Sequence, residues 1–295
     1  MKIDIGNGEG KQRQKIRHII SLSGGKDSSA LAVYMRDRKY WRQRLGKTSE
    51  TPIEDIEVEY VFCDTHEELQ ETYDYLIKLE AHLGKRIVRL SPERGFEHWL
   101  EIYNNYLPSS NMRWCTRMLK LRPFEKYVGE SLVYSYIGIR ADENREGYIS
   151  RKSNIKPVYP FKEDGVVRED VFRILEESTL SLPEYYKWRT RSGCYFCFFQ
   201  RKAEWVGLME NHPTLFQKAT TYEKMNPETS ERYTWSQGES LIQISRPERV
   251  AEIKANHLKA IEIEKQQRPN RPLAEILEDV LDDEDDDYAC MICHL

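Results

Sequence analysis

The run Ser23-Gly24-Gly25-Lys26-Asp27-Ser28-Ser29 gathers two glycines, three hydroxyls, one ammonium and one carboxylate in consecutive positions. Adjacent glycines permit positive φ and let main-chain amides approach an anion, and a helix opening just after them offers unpaired N–H groups. The serines add donors and Lys26 a point charge. Asp27 is suited either to a water-shared contact with Mg²⁺ or to capping the helix. Together these groups suit a pyrophosphate. The spacing is neither the GxxxxGK[ST] loop of common nucleotide triphosphatases nor the GxGxxG of dinucleotide folds.

A second chemical grouping is Cys194-Tyr195-Phe196-Cys197. Two intervening residues let both thiolates turn onto one centre, as in a zinc or iron–sulfur site. A dithiol exchanging a persulfide and a pair of simple buried cysteines are the other readings. Arg113, Arg117, Arg189 and Arg191 lower thiolate pKa values if they fold close by. Cys63 ends an apolar run and reads as core.

Positioning these groups requires strands that feed loops. His18 to Leu22 is a short apolar run before the Gly pair, and Ser28 to Arg38 is compatible with a helix. Ile56 to Cys63 reads as a second buried strand, followed by helical spacing of Leu69, Tyr73, Leu76, Ile77 and Leu79. Arg86 to Leu90 and Leu132 to Ile139 read as further strands. Strands alternating with helices predict a doubly wound α/β domain with a mainly parallel sheet. The predicted organisation is an ATP-binding α/β domain over 1–165, a smaller and mostly helical region over 166–281 that carries the CxxC, and an acidic tail over 282–295. Asp170 to Glu177, Lys202 to Glu210 and Pro272 to Leu281 are predicted helices. The charge run Asp282 to Asp287 predicts flexibility in the tail, which ends with Cys290 and Cys293.

The 295 residues are sufficient for an enzyme core, with 39% hydrophobic and 32% charged residues. No window approaches the roughly 18 uninterrupted apolar residues of a membrane span. Met1 to Lys15 lacks the apolar centre of a secretory signal, so the expected compartment is the cytoplasm, where cysteines stay reduced. The net charge of -4 averages a basic stretch, Lys11 to Lys47, with an acidic one, Glu275 to Asp287. The basic stretch is either a solvated face or an attraction for phosphates.

The hexapeptide SGGKDS resembles the PP-loop of the ATP pyrophosphatase superfamily, whose members cleave ATP to AMP and pyrophosphate. Asp64-Thr65-His66 through Glu71-Thr72 resembles the D-T-G and P-E-T signature of phosphoadenylyl-sulfate reductases, with His66 and Gln70 replacing the usual Gly and Pro. Trp114-Cys115-Thr116-Arg117, Leu119-Lys120 and Arg122-Pro123 are similar to the family's Cys, Lys and Pro segment. Gly138-Ile139-Arg140-Ala141-Asp142-Glu143 with Arg145 is similar to its G-x-R-x-x-E stretch. Val158 to Phe161, Asp170-Val171, Leu182-Pro183, Tyr186 and Ser192-Gly193-Cys194 continue the likeness. Cys194 to Gln200, Trp205 and His212-Pro213 resemble the DNA phosphorothioation ATP pyrophosphatases of the DndC and SspD kind.

The resemblance implies an adenylating enzyme of sulfur transfer that uses ATP and Mg²⁺. It places Ser21, Ser23, Gly24, Gly25, Lys26, Asp27, Ser28, Ser29, Asp64, Thr65, Gly138, Arg140 and Glu143 around the nucleotide, with Lys26, Asp27, Arg140 and Cys115 as the reacting groups. It implies that Cys115 joins Cys194 and Cys197 on a [4Fe-4S] cluster with one open iron. A closed cluster completed by Cys290 or Cys293, and a structural Zn²⁺, are the alternatives. A cysteine desulfurase as sulfur donor and a homo-oligomer are the further partners the resemblance implies. DNA is the expected acceptor, met by a basic aromatic groove of Tyr185, Tyr186, Lys187, Trp188, Arg189, Arg191, Tyr195 and Phe196, residue types that equally build cores. A tRNA thiolation enzyme and an assimilatory reductase of phosphoadenylyl or adenylyl sulfate are the alternative activities. A nucleic-acid or regulatory module that senses ATP without turning it over is the non-enzymatic one.

Overall fold

The structure is a computed structural model and describes residues 16–37, 40–41, 56–144, 152–225, 232–236 and 238–267. Arg145, the predicted helix Pro272 to Leu281, the acidic run, Cys290 and Cys293 lie outside the described residues.

Alternation of apolar side chains builds the sheet. In β1 (Arg17–Leu22) and β2 (Val58–Cys63), Ile20, Leu22, Tyr60 and Phe62 enter one core, whereas Ile19, Val61 and Cys63 enter another on the opposite face. Burial on both faces is what a parallel sheet requires. The strands β3 (Ile87–Leu90), β4 (Val133–Tyr136) and β5 (Ile155–Val158) complete a five-stranded sheet of order β3-β2-β1-β4-β5, with every pairing parallel.

Helix α1 (Lys26–Arg36) buries Ala30, Leu31, Ala32 and Met35. Helix α2 (Gln70–Leu83) buries Thr72, Tyr75, Leu76, Leu79 and Leu83, the i, i+3, i+4, i+7 stripe of an amphipathic helix. It stops at Gly84, whose φ of 64° provides the left-handed C-terminal cap. Next, α3 (Phe96–Ile102) precedes a helical turn, Trp114–Thr116. A π-helix follows over Arg117–Leu121 and leads into α4 (Arg122–Val128), which seals the second core with Phe124 and Val128.

Beyond the sheet, α5 (Pro160–Asp164) leads to α6 (Arg168–Glu177), which inserts Val171 and Leu175 into the same core as α1. A 3₁₀ turn, Glu184–Lys187, precedes the CxxC. Helices α7 (Lys202–Asn211) and α8 (Pro213–Tyr222), a short α9 (Leu241–Ile244) and α10 (Pro247–Gln267) form the remainder. Between α8 and α9, β6 (Lys224–Met225) pairs antiparallel with β7 (Arg232–Tyr233). A third apolar cluster joins Leu69, Phe96, Leu100, Trp114 and Leu119 to Tyr185, Tyr195, Phe196, Trp205 and Trp235. Aromatic side chains thus weld this region to the loops of the α/β unit.

Candidate nucleotide site

Strand order reverses at β1. The chain leaves it through α1 toward β2 and β3, then crosses back to place β4 on its other side. Such a switch point opens a crevice beyond the carboxyl ends of the two central strands. The register Ile20↔Tyr136 and Leu22↔Phe62 brings the loops after β1, β2 and β4 to that same edge.

The loop after β1 is organised by its own hydroxyls. Ser23 N–H donates to Ser28 Oγ at 3.1 Å, and Gly25 N–H donates to Ser23 Oγ at 3.3 Å. The Ser28 and Ser29 hydroxyls donate to the Gly25 carbonyl at 3.3 and 2.8 Å. Gly24 has φ of 76°, and a Cβ there would lie 2.6 Å from Thr72 Cγ2. Glycine is therefore required by both backbone and space. Ser21, one turn of strand earlier, is buried with no partner for its Oγ and stands apart from this network.

Arg140 reaches this loop from the loop after β4. Its Nη1 lies 2.9 Å from Asp27 Oδ1 and 3.3 Å from Glu143 Oε1, while Nε donates to Asp142 Oδ1 at 3.0 Å. Lys26 Nζ lies 3.1 Å from Asp27 Oδ2, so both Asp27 oxygens meet cations. Gly138 permits this approach, since a Cβ there would stand 2.9 Å from the Asp27 carbonyl oxygen. The predicted set Ser23 to Ser29, Gly138, Arg140 and Glu143 is thus brought together. With its carboxylate engaged by Lys26 and Arg140, Asp27 does not fit direct coordination of Mg²⁺.

Asp64 and Thr65 follow β2 at the same edge. Asp64 Oδ1 accepts from the His66 amide at 2.9 Å and from the Tyr73 hydroxyl at 2.8 Å. Burial, and then this hydrogen bond to Asp64, raise the Tyr73 phenol well above its ordinary pKa. His66 has φ of 63°, which explains why glycine suits this position.

Thr65 is also tied to the CxxC segment. Its Oγ1 lies 3.2 Å from Cys194 Sγ and donates to Glu68 Oε1 at 3.1 Å, and Cys194 Sγ lies 3.8 Å from Glu68 Oε1. Glu68 and Cys194 also form an isolated antiparallel bridge. Burial, and then the Glu68 carboxylate, push the Cys194 thiol well above its ordinary pKa. Glu68 was not among the expected site residues. Its place three residues after Thr65, at the start of an apolar helix, is a signal shared with many helix entries.

The cysteines do not meet the expected arrangement. Among the described residues no three His, Cys, Asp or Glu side chains are placed to hold a metal ion. Cys115, before the π-helix, and Cys194 pack against the aromatic cluster, and Cys194 is engaged with Thr65 and Glu68. Cys115, Cys194 and Cys197 are thus not gathered as three metal ligands among the described residues. Cys63 is buried, with its thiol pushed up to about 12 by desolvation, as a core residue should be.

The expected aromatic groove is also corrected. Tyr185, Arg189, Tyr195 and Phe196 are buried, leaving Lys187 exposed and Tyr186, Trp188 and Arg191 half-buried. Arg189 spends its guanidinium on the carbonyls of Gly193 at 3.2 Å and Cys194 at 3.0 Å. Aromatic density here builds a core because bulky rings stack on one another, as Phe196 does on Trp235.

A parallel sheet with a hydroxyl-rich Gly loop at its switch point defines an α/β protein of the PP-loop kind. The chain belongs to the phosphoadenosine phosphosulfate reductase domain family, whose model matches residues 17–195. It is 28% identical over 233 residues to an uncharacterized protein of Methanocaldococcus jannaschii, covering 75% of this chain and 43% of that one. It is 28% identical over 107 residues to the adenosine 5'-phosphosulfate reductase of Staphylococcus haemolyticus, covering 35% of this chain and 44% of the relative. The chain thus spans less than half the length of these curated relatives. Among solved structures, the U34-tRNA thiolase NcsA from Methanococcus maripaludis, with its [4Fe-4S] cluster, is similar at 15% identity and a TM-score of 0.39, over 74% of this chain and 73% of that chain. Among the described residues no helix is long and apolar enough to cross a membrane.

Proposed function

We propose that this chain binds Mg²⁺-ATP at Ser23–Ser29 and cleaves it between the α and β phosphates, adenylating an acceptor for sulfur chemistry. The supporting observation is the convergence of the Gly24–Gly25 loop, the N-terminus of α1 and Arg140 at the switch point. Amides and hydroxyls there would hold the departing pyrophosphate, and Arg140 would border the phosphates. Fixed donors aimed at developing negative charge supply most of the rate in such transfers. Family membership supports sulfur chemistry downstream.

For the acceptor we propose a DNA backbone phosphate, on the likeness of Cys194 to Gln200, Trp205 and His212-Pro213 to DNA phosphorothioation enzymes. A phosphate oxygen attacks the α phosphorus and expels pyrophosphate. Sulfide, released when a thiol such as free cysteine reduces the persulfide of a cysteine desulfurase to a disulfide, then attacks the DNA phosphorus, forming the P–S bond as the P–O bond to AMP breaks. The adenylyl-sulfate reductase relative favours a second reading, in which a nucleotide-bound sulfate is reduced.

The test is product analysis with α-labelled ATP, Mg²⁺, duplex DNA and a desulfurase with cysteine. AMP and a phosphorothioate linkage support the proposal. ADP as product refutes α–β cleavage, and AMP without modified DNA refutes the DNA acceptor. ATP-independent sulfite formation from adenylyl sulfate and a thiol reductant would establish the second reading.

A further inference from the structure

The phosphate loop is closed over in this structure. Every residue from Ser21 to Ala30 is buried, and Lys26 is only 2% exposed. What covers it is the segment that leads into the CxxC. Lys26 N–H, the first amide of α1, donates to Tyr186 Oη at 3.0 Å. Ser192 Oγ donates to Ser23 Oγ at 3.0 Å, and Tyr185 Oη donates to the Gly24 carbonyl at 2.9 Å. A Cβ on Gly25 would lie 2.7 Å from Ser192 Oγ and 3.3 Å from Tyr186 Oη. Glycine at 25 thus leaves room for these two hydroxyls as well as for an anion.

A helix-opening amide attracts anionic oxygen, and a phenol oxygen is a weaker acceptor than a phosphoryl oxygen. We infer that Tyr186 is a displaceable stand-in for a phosphoryl group: its hydroxyl satisfies the Lys26 amide until a pyrophosphate moiety replaces it. This rests on the proposed nucleotide site and adds its control. The segment is tied together, because Arg189 holds the Gly193 and Cys194 carbonyls and Ser192 immediately precedes them. Displacement of Tyr186 and Ser192 therefore pulls on Cys194, whose thiol rests on Thr65 in the closed form. Nucleotide occupancy and access to the Cys194 thiol are coupled through this strap.

The experiment uses the full chain and inorganic pyrophosphate as the probe, comparing wild type with Tyr186→Phe, which keeps the ring and the packing. Calorimetry is expected to show pyrophosphate binding about 3- to 10-fold tighter in Tyr186→Phe, the worth of one competing hydrogen bond. Alkylation of Cys194, followed by peptide mapping, is expected to accelerate when pyrophosphate is added to wild type and to be already faster in the free variant. Equal or weaker binding by Tyr186→Phe overturns the stand-in role. Tighter binding with unchanged Cys194 labelling overturns the coupling. If neither protein binds pyrophosphate or ATP, the nucleotide site itself fails, and the inference with it.

Discussion

Arg140 and Asp27, separated by more than a hundred residues in sequence, form a buried ion pair with Nη1 2.9 Å from Oδ1. It ties the loop after β4 to the first turn of α1 and holds the two sides of the switch-point crevice in register. A buried charge that loses its partner is costly because water cannot replace it.

Arg140→Met should therefore destabilise the protein by about 3 kcal/mol, read from the urea midpoint at constant slope. ATP turnover should fall with it. A loss below about 1 kcal/mol would show that Lys26 alone satisfies Asp27.

Gly24 and Gly165 both have positive φ, but only Gly24 has a neighbour in the way of a side chain. Gly165→Ala should cost about 1 kcal/mol, the left-handed penalty alone. Gly24→Ala should cost more, about 2–4 kcal/mol, since Thr72 must also move. Parallel denaturant curves decide this, and equal losses would contradict the packing argument.

His66 carries the same left-handed backbone on an exposed side chain. His66→Gly should stabilise by up to about 1 kcal/mol by relieving that strain. A destabilised variant would show that the 3.7 Å contact of the imidazole with Asp64 outweighs the strain.

His18 is buried on β1, with Nδ1 2.8 Å from the Tyr136 hydroxyl, and desolvation lowers its pKa from 6.5 to about 4. The unfolded chain binds this proton more readily than the folded one. Stability from neutral His18 is therefore fully present above pH 6.5 and is lost as pH falls toward 4. The loss is about 3 kcal/mol. His18→Phe should flatten that part of the stability profile, and an unchanged slope would assign it to other groups.

The strands carrying the site were legible because β1, β2 and β4 are apolar runs that end in loop residues. β5 was not, since Pro157 and exposed Lys156 interrupt its pattern, and Pro is tolerated there only at a sheet edge. Helix α10 was missed because its apolar positions are sparse along 21 residues. The loop after β1 was readable from residue type and spacing, whereas its partner Arg140 was placed there only by the family resemblance. The hydroxyls of Tyr186 and Ser192 on that loop were not, because their role arises from a contact across more than 160 residues. Cys194 illustrates the same limit: its spacing to Cys197 suggested a metal, while the fold places Thr65 and Glu68 beside it.

The most direct measurement is a crystal structure of the chain with Mg²⁺ and α,β-methylene ATP. The β and γ phosphates should sit within hydrogen-bonding distance of the Gly25 and Lys26 amides and the Ser23 and Ser28 hydroxyls, with the α phosphate facing Arg140. A nucleotide bound elsewhere, or turned so that its base occupies this loop, would contradict the account.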